Sequence, residues 1–193
     1  MIFAKSLLPL LGLGLLFAAG TADRWGERAD WPEVLQSELE RDQRTGRRYY
    51  RGKPFSGLAL DHYPDGRVAE RSHYRAGKRS GACRKYFPDG RLSYAGQYRA
   101  GRKIGSSHTW WSNGRLRSEY YYRDGVGHGL QREWYQSGAK FKHLRLYRGR
   151  ERGLQQSWRE NGKIYNNYEA KNGRIYGLKR SKLCFSLSEE QIQ

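Results

Sequence analysis

The sequence predicts an all-β fold: an elongated array of about five to six stacked β-hairpin repeats with a 24-residue period and a short N-terminal helix. Three observations predict it: glycines recur in step, one turn motif recurs with them, and aromatic residues fill columns between the turns. Gly66, Gly90, Gly114, Gly138 and Gly162 are each 24 apart, as are Gly57, Gly81, Gly105, Gly129, Gly153 and Gly177. Gly77, Gly101, Gly125, Gly149 and Gly173 keep the same step, and the three sets use sixteen of the 24 glycines. Self-similarity at a fixed period marks an array in which each unit buries its apolar face against its neighbours.

The turns come first. "HYPDGR" at 62–67 returns as "YFPDGR" at 86–91, "WWSNGR" at 110–115, "WYQSGA" at 134–139 and "WRENGK" at 158–163. Proline presets φ, Asp or Asn bonds its own backbone, and glycine accepts the left-handed position. This predicts a three-residue hairpin loop with a bulge. Each unit then reads strand, tight turn, strand, longer turn. In the second unit the strands fall at about 81–87 and 91–99, and a loop at 100–104 leads onward.

The strands are argued from columns. His62, Tyr86, Trp110, Trp134 and Trp158 form one row, and Tyr63, Phe87, Trp111, Tyr135 and Arg159 the next. Adjacent strand residues face opposite sides, so both faces carry aromatics. Leu58, Leu130 and Leu154 share parity with the tryptophan row, which makes that face the expected core. Val68, Leu92, Leu116 and Ile164 repeat in the second strand. Tyr50, Tyr74, Tyr98 and Tyr122 keep the step but the next tyrosine is Tyr147, which predicts a bulge or altered register in that strand.

The ends differ from the repeats. Residues 1–22 carry Lys5, an apolar Leu-rich run and small residues at 20–22, the pattern of a secretory signal peptide. This predicts export, to a periplasmic or envelope-associated location; an uncleaved anchor is the alternative. Residues 23–45 are acidic, with seven Asp/Glu against four Lys/Arg. Asp30 with Glu33 reads as a capping box. Trp31, Val34, Leu35 and Leu39 recur at helical spacing, so a helix is expected to cover the first hairpin. The repeats occupy 46–184, and 185–193 is a tail.

Composition narrows the function. Hydrophobic residues make up only 37% of the chain, too few for a thick two-layer core. The net charge of +18 is concentrated in the repeats, where 32 Lys/Arg face ten Asp/Glu. Cys83 and Cys184 lie about four units apart, roughly 40 Å in a stacked array, beyond the reach of a disulfide. Two free thiols, or pairing with another molecule, are expected.

The unit "YRAGKRSGACRKYFPDGRLSYAGQ" at 74–97 resembles the bacterial MORN-repeat variant, and "YRDGVGHGLQREWYQSG" at 122–138 matches the same pattern. The opening "YYRGKPFSG" at 49–57 looks like the first unit of YwqK-type antitoxin proteins. The resemblance covers about 46–184. It implies elongated hairpin arrays that act by binding, in some members as antitoxin or immunity partners of secreted toxins. Arg159 departs from the aromatic pattern, and the sixth unit stops after 182–184.

No catalytic motif is present: there is no His-Glu-x-x-His, no Gly-x-Ser-x-Gly and no phosphate-cradling Gly-Lys-Ser/Thr. His62, His73, His108, His128 and His143 fall at different offsets and give no metal-ligand spacing. Arg84 and Lys85 beside Cys83 would lower its thiol pKa, but no base can be named nearby. The chain therefore reads as a non-enzyme without cofactor or metal. What remains is surface. Arg51, Arg75, Arg99 and Arg123 step by 24, Arg148 continues with a one-residue shift, and Arg67, Arg91, Arg115 and Lys163 follow the turn glycines. These predict two lines of cations spaced roughly 10 Å, with Trp110, Trp134 and Trp158 as aromatic contacts. The expected partner is an acidic protein, the alternative an anionic envelope lipid or polysaccharide. Nucleic acid is a third reading, disfavoured by export. A blander role for the arginines is to cover aromatic rings while their heads stay in water.

Overall fold

The computed structural model of the chain describes residues 31–180. The predicted signal peptide, Cys184 and the tail lie outside the described residues. The repeats form one sheet of successive antiparallel hairpins. Its strands are β5 (Gly57–His62), β6 (Val68–Arg75), β7 (Lys78–Tyr86), β8 (Leu92–Arg99), β9 (Arg102–Trp110), β10 (Leu116–Arg123), β11 (Val126–Gly127), β12 (Gly129–Trp134), β13 (Lys140–Tyr147), β14 (Arg150–Trp158), β15 (Ile164–Lys171) and β16 (Arg174–Leu178). With β1 (Glu33–Leu35) the sheet has 13 strands. Twelve of them lie side by side, so at the usual interstrand spacing the sheet runs about 50 Å from one edge to the other. A separate three-stranded sheet joins β2 (Glu40–Arg41), β3 (Arg48–Tyr50) and β4 (Lys53–Pro54).

The three-residue turns form as expected. In each, the first aromatic's successor takes a backbone bond from the glycine and gives one across the turn. Gly66 N donates to Tyr63 O at 2.9 Å and Tyr63 N to Arg67 O at 2.8 Å, and the pattern returns at Phe87, Trp111, Tyr135 and Arg159. A register shift follows at the strand end, as between Lys85 and Tyr86. The second connection is shorter than predicted. Residues 100–104 are not a loop: Ala100 (φ 49°) and Gly101 (φ 84°) make a two-residue turn, and Arg102 is already in β9. Positive φ at both positions is the type I′ geometry, whose twist matches the flanking strands.

Both rims of the sheet are tied from unit to unit. On the two-residue rim, Gly77 N donates to Phe55 O (2.7 Å), Gly101 N to Arg79 O (2.8 Å), Gly125 N to Lys103 O (2.8 Å) and Gly149 N to Gly127 O (2.9 Å). On the three-residue rim, Tyr63 Oη donates to Tyr86 O at 2.7 Å, Trp111 Nε1 to Trp134 O at 3.1 Å and Tyr135 Oη to Trp158 O at 2.9 Å. Phe87 holds the same position without a donor. Phe87→Tyr is therefore expected to complete the row at Trp110 O and stabilise the fold by about 1 kcal/mol. A urea midpoint that stays put or falls would show that the site cannot seat the hydroxyl.

Four expectations are corrected. First, no α-helix forms among the described residues of the N-terminal segment. Glu33–Leu35 is a strand that pairs in parallel with β5, and Gln36–Glu38 is a single 3₁₀ turn. Glu38 still caps, accepting from Leu35 N–H at 2.8 Å. The free edge of β5 offers backbone partners to an extended segment, whereas a helix this short bears its full nucleation penalty. The covering role falls to a strand. Val34 and Leu39 are buried while Leu35 is exposed, and they join Phe55, Ala59 and Tyr74 in the apolar cluster.

Second, the buried face is the one opposite the tryptophan row. Ala59, Cys83, Ser107, Gln131 and Gln155 form a buried column, whereas Leu154 is 52% exposed. The β6–β7, β8–β9 and β13–β14 hairpins carry a register shift, and the glutamines of this column bond backbone groups where the regular pairing is interrupted. Gln155 Nε2 donates to Arg145 O (2.8 Å) and Gly153 O (3.1 Å), and its Oε1 accepts from Arg145 N (3.0 Å). Gln131 does the same for Tyr121 O and His128 O. Bulge backbone groups need partners, so amides outcompete aliphatic side chains there.

Third, β13 carries the expected register shift, but Tyr147 is not its cause. The Leu144/Leu146 shift repeats the Gly96/Gln97 shift two units earlier, and Tyr147 pairs with Arg150 as Arg99 pairs with Arg102. Leu146 occupies the tyrosine column, and Tyr147 stands where Arg99 and Arg123 stand. Turn glycines fix the frame; the side chain merely changes. Fourth, Arg51 and Arg148 sit inside their turns at φ 48° and 50°, aligned with Ala76 and Ala100 rather than with Arg75 and Arg99.

Candidate functional site

The sequence-predicted site residues divide between the two rims. Trp110, Trp134 and Trp158 lie at the three-residue rim, together with Arg67, Arg91 and Arg115. Arg75, Arg99 and Arg123 lie at the other, separated by a strand length of roughly 26 Å. The two cation lines thus never meet.

The three-residue rim uses its charge internally. Arg67 pairs with Asp65 at 2.8 Å and Arg91 with Asp89 at 2.6 Å, each within its own turn. The Arg91 hydrogen bond holds the Asp89 carboxyl below its usual range. Arg115 donates to the carbonyls of Ser137 and, at 3.5 Å, Gln136, beside the Asn113 bond to Gln136 O at 2.9 Å. The tryptophans also have intramolecular company. His108 lies 5.9 Å from Trp110, His143 packs edge-on to Trp158 at 4.9 Å, and Lys140 lies over Trp158.

The two-residue rim is different. Here the strand residues flanking each turn are direct cross-strand partners, and at three turns both are cations: Arg75 with Lys78, Arg99 with Arg102, and Lys171 with Arg174, while Arg123 faces Val126 and Tyr147 faces Arg150. Like charges set directly opposite are unfavourable. Arg75, Lys78, Arg99, Arg102 and Arg123 are all exposed. Arg51 and Arg148 partly follow the blander reading, since their guanidinium groups lie over Tyr50 at 5.1 Å and Tyr147 at 5.5 Å. The second column, Lys78, Arg102, Arg150 and Arg174, escaped the sequence reading although its 24-residue step was there to see.

At one place this rim is walled. The three-stranded sheet docks on the β6–β7 turn, with Arg48 N donating to Gly77 O at 2.8 Å. Between the two sheets lies a cleft of about 510 Å³ lined by Arg41, Arg48, Lys78, Arg79, Arg102, Tyr74 and Tyr98, with no carboxylate in its lining. The loop on its far side is shaped by Asp42, which accepts from Thr45 Oγ1 at 2.6 Å and Arg44 N at 2.9 Å.

No protein-family model matches the chain, and no curated protein matches it. The likeness to MORN-type repeats therefore rests on the motif, and the site must be read from its own chemistry.

Behind the cleft sits a buried ionic network. Glu70 accepts from Ser72 Oγ (2.6 Å) and Arg79 Nη2 (2.7 Å) on one oxygen and pairs with Lys85 at 2.8 Å on the other. Burial works to raise its pKa, but the Lys85 bond, the Ser72 bond and the charges of Arg79 and Lys85 outweigh it and hold the carboxyl below the usual range. Arg79 also donates through Nε to Tyr74 Oη at 3.2 Å. It thus links network to cleft. Cys83 is free and fully enclosed. Burial pushes its thiol up, which reverses the expectation from its basic sequence neighbours. Its contacts to Ser72 and Glu70 make it part of the packing rather than a nucleophile.

Proposed function

We propose that the chain is a non-catalytic binding protein of the MORN-variant type, exported, that engages an acidic protein partner through its two-residue rim. The observation that supports this is the set of directly opposed cations at that rim, Arg75 with Lys78 and Arg99 with Arg102, whereas on the other rim Arg67 and Arg91 pair with acids of their own turns. Like-charge pairs weaken the free protein, and an acidic partner would relieve them. An immunity-type role would be a special case of such binding. Single-stranded nucleic acid, which needs stacking aromatics beside backbone-tracking cations, has less support, because on the tryptophan rim Arg67 and Arg91 already pair with Asp65 and Asp89.

Polyglutamate serves as a probe for an acidic protein surface. Reversing Arg75, Arg99 and Arg123 to Glu together is expected to weaken its binding at least tenfold in fluorescence anisotropy. Reversing Arg67, Arg91 and Lys163, the same charge change on the other rim, should alter it less than threefold. Equal losses would mean that net charge alone is at work. Binding to anionic vesicles or oligonucleotides that exceeds polyglutamate binding at ~0.15 M salt would transfer the rim to those partners.

A further inference from the structure

We infer that the cleft between the three-stranded sheet and the β7–β9 turns is a seat for a compact oligophosphate, distinct from the extended contact along the rim. This builds on the rim reading only in sharing its electrostatics. The two walls of the cleft are each built from opposed cations. Arg41 is the direct cross-strand partner of Arg48, and Lys78 and Arg102 stand on consecutive two-residue turns facing them. Arg79 enters from below, fixed in place by Glu70 and Tyr74. None of the lining residues is acidic, so the cleft itself supplies no counter-charge.

Three arguments select the ligand. The volume of about 510 Å³ falls within the range of small-molecule sites and is too small for a folded protein surface to enter. Four cations around so small a space, with Arg79 already paired to Glu70 as a fifth, call for several negative charges close together. A carboxylate brings one charge per group, whereas a short phosphate chain concentrates several within one compact molecule. Guanidinium forks match phosphate oxygens, and four of the five cations are arginines. Tyr98 adds a hydroxyl beside them, already engaged with Tyr94 at 3.1 Å, so it shapes the wall rather than supplying charge.

The test is calorimetric titration of the whole chain with tripolyphosphate at ~0.15 M salt, with citrate as the carboxylate comparison. One-to-one binding is expected, at least tenfold tighter than citrate. Arg41→Gln with Arg48→Gln should weaken it at least tenfold, and so should Lys78→Gln with Arg102→Gln on the opposite wall. The second pair matters because Arg48 also donates to Leu39 O at 3.4 Å and its loss perturbs the small sheet. Arg67→Gln with Lys163→Gln removes the same charge on the other rim and should leave affinity within twofold. The inference is overturned by a lack of saturable binding, by citrate binding as tightly, or by equal losses in the control pair. Loss of tripolyphosphate binding with polyglutamate binding retained removes the cleft alone, and the reverse removes the rim reading alone.

Discussion

Glu70→Gln is expected to destabilise the protein by about 3 kcal/mol at neutral pH. Glu70 is the one carboxylate that meets Ser72, Arg79 and Lys85 together, and its side chain is only 11% exposed. The amide keeps the shape but removes the charge, leaving a guanidinium and an ammonium without the carboxylate that holds them together. Removing one partner of a buried pair typically costs about 3–5 kcal/mol. Partial access of water to Arg79 and Lys85 places this case at the lower end. The effect also has a pH signature. A carboxyl whose folded pKa lies below its unfolded value of 4.5 contributes stability that is complete above that pH and is lost as pH falls through the folded value. Urea midpoints of wild type and variant should therefore converge on acidification below about pH 4. A gap that is the same at pH 7 and pH 3 would show that the loss is steric, not ionic.

The second large effect concerns the joint that makes the cleft. Gly77 has φ +78°, and a Cβ there would lie 2.7 Å from Arg48 O, with Arg47 Cβ and Arg48 N close behind. Alanine must bear the left-handed penalty of about 1–2 kcal/mol and also push the small sheet away. Gly77→Ala is expected to destabilise by at least ~2 kcal/mol and to speed exchange of the Arg48 amide, which donates to Gly77 O. Gly66 supplies the control: its φ is +84° with nothing within 4 Å of an added Cβ. Gly66→Ala should show the backbone penalty alone and leave Arg48 exchange unchanged. If the two variants lose equal stability, the docking of the small sheet on Gly77 contributes nothing.

Both effects turn on contacts that no sequence column displays. Glu70, Ser72 and Arg79 belong to one unit and have no counterparts 24 residues later: Tyr94, Gly96 and Lys103 take their places. Lys103 lies over the rings of Tyr94 and Tyr122 instead of meeting an acid. Likewise Arg41 and Arg48 lie on the small sheet at the N-terminal end, so the period cannot announce a site that needs both.

By itself the sequence determined the all-β hairpin array, its frame and its charge. Turn chemistry is local: Pro-Asp-Gly at 64–66 or Ala-Gly at 100–101 sets φ within a few residues, and five or six repetitions leave no other register. Only the tertiary structure decided which face closes, which end cap forms and which cations meet. Most hairpins of the long sheet contain a register shift that reverses side-chain parity along the strand, so a column's face cannot be extrapolated from one turn to the next. The edge of β5 recruited Glu33–Leu35 into a strand because unpaired backbone groups, distant in sequence, outweighed a local helical pattern. The separation of the two rims, and the walled cleft on one of them, follow from strands about 26 Å long holding the two kinds of turn apart.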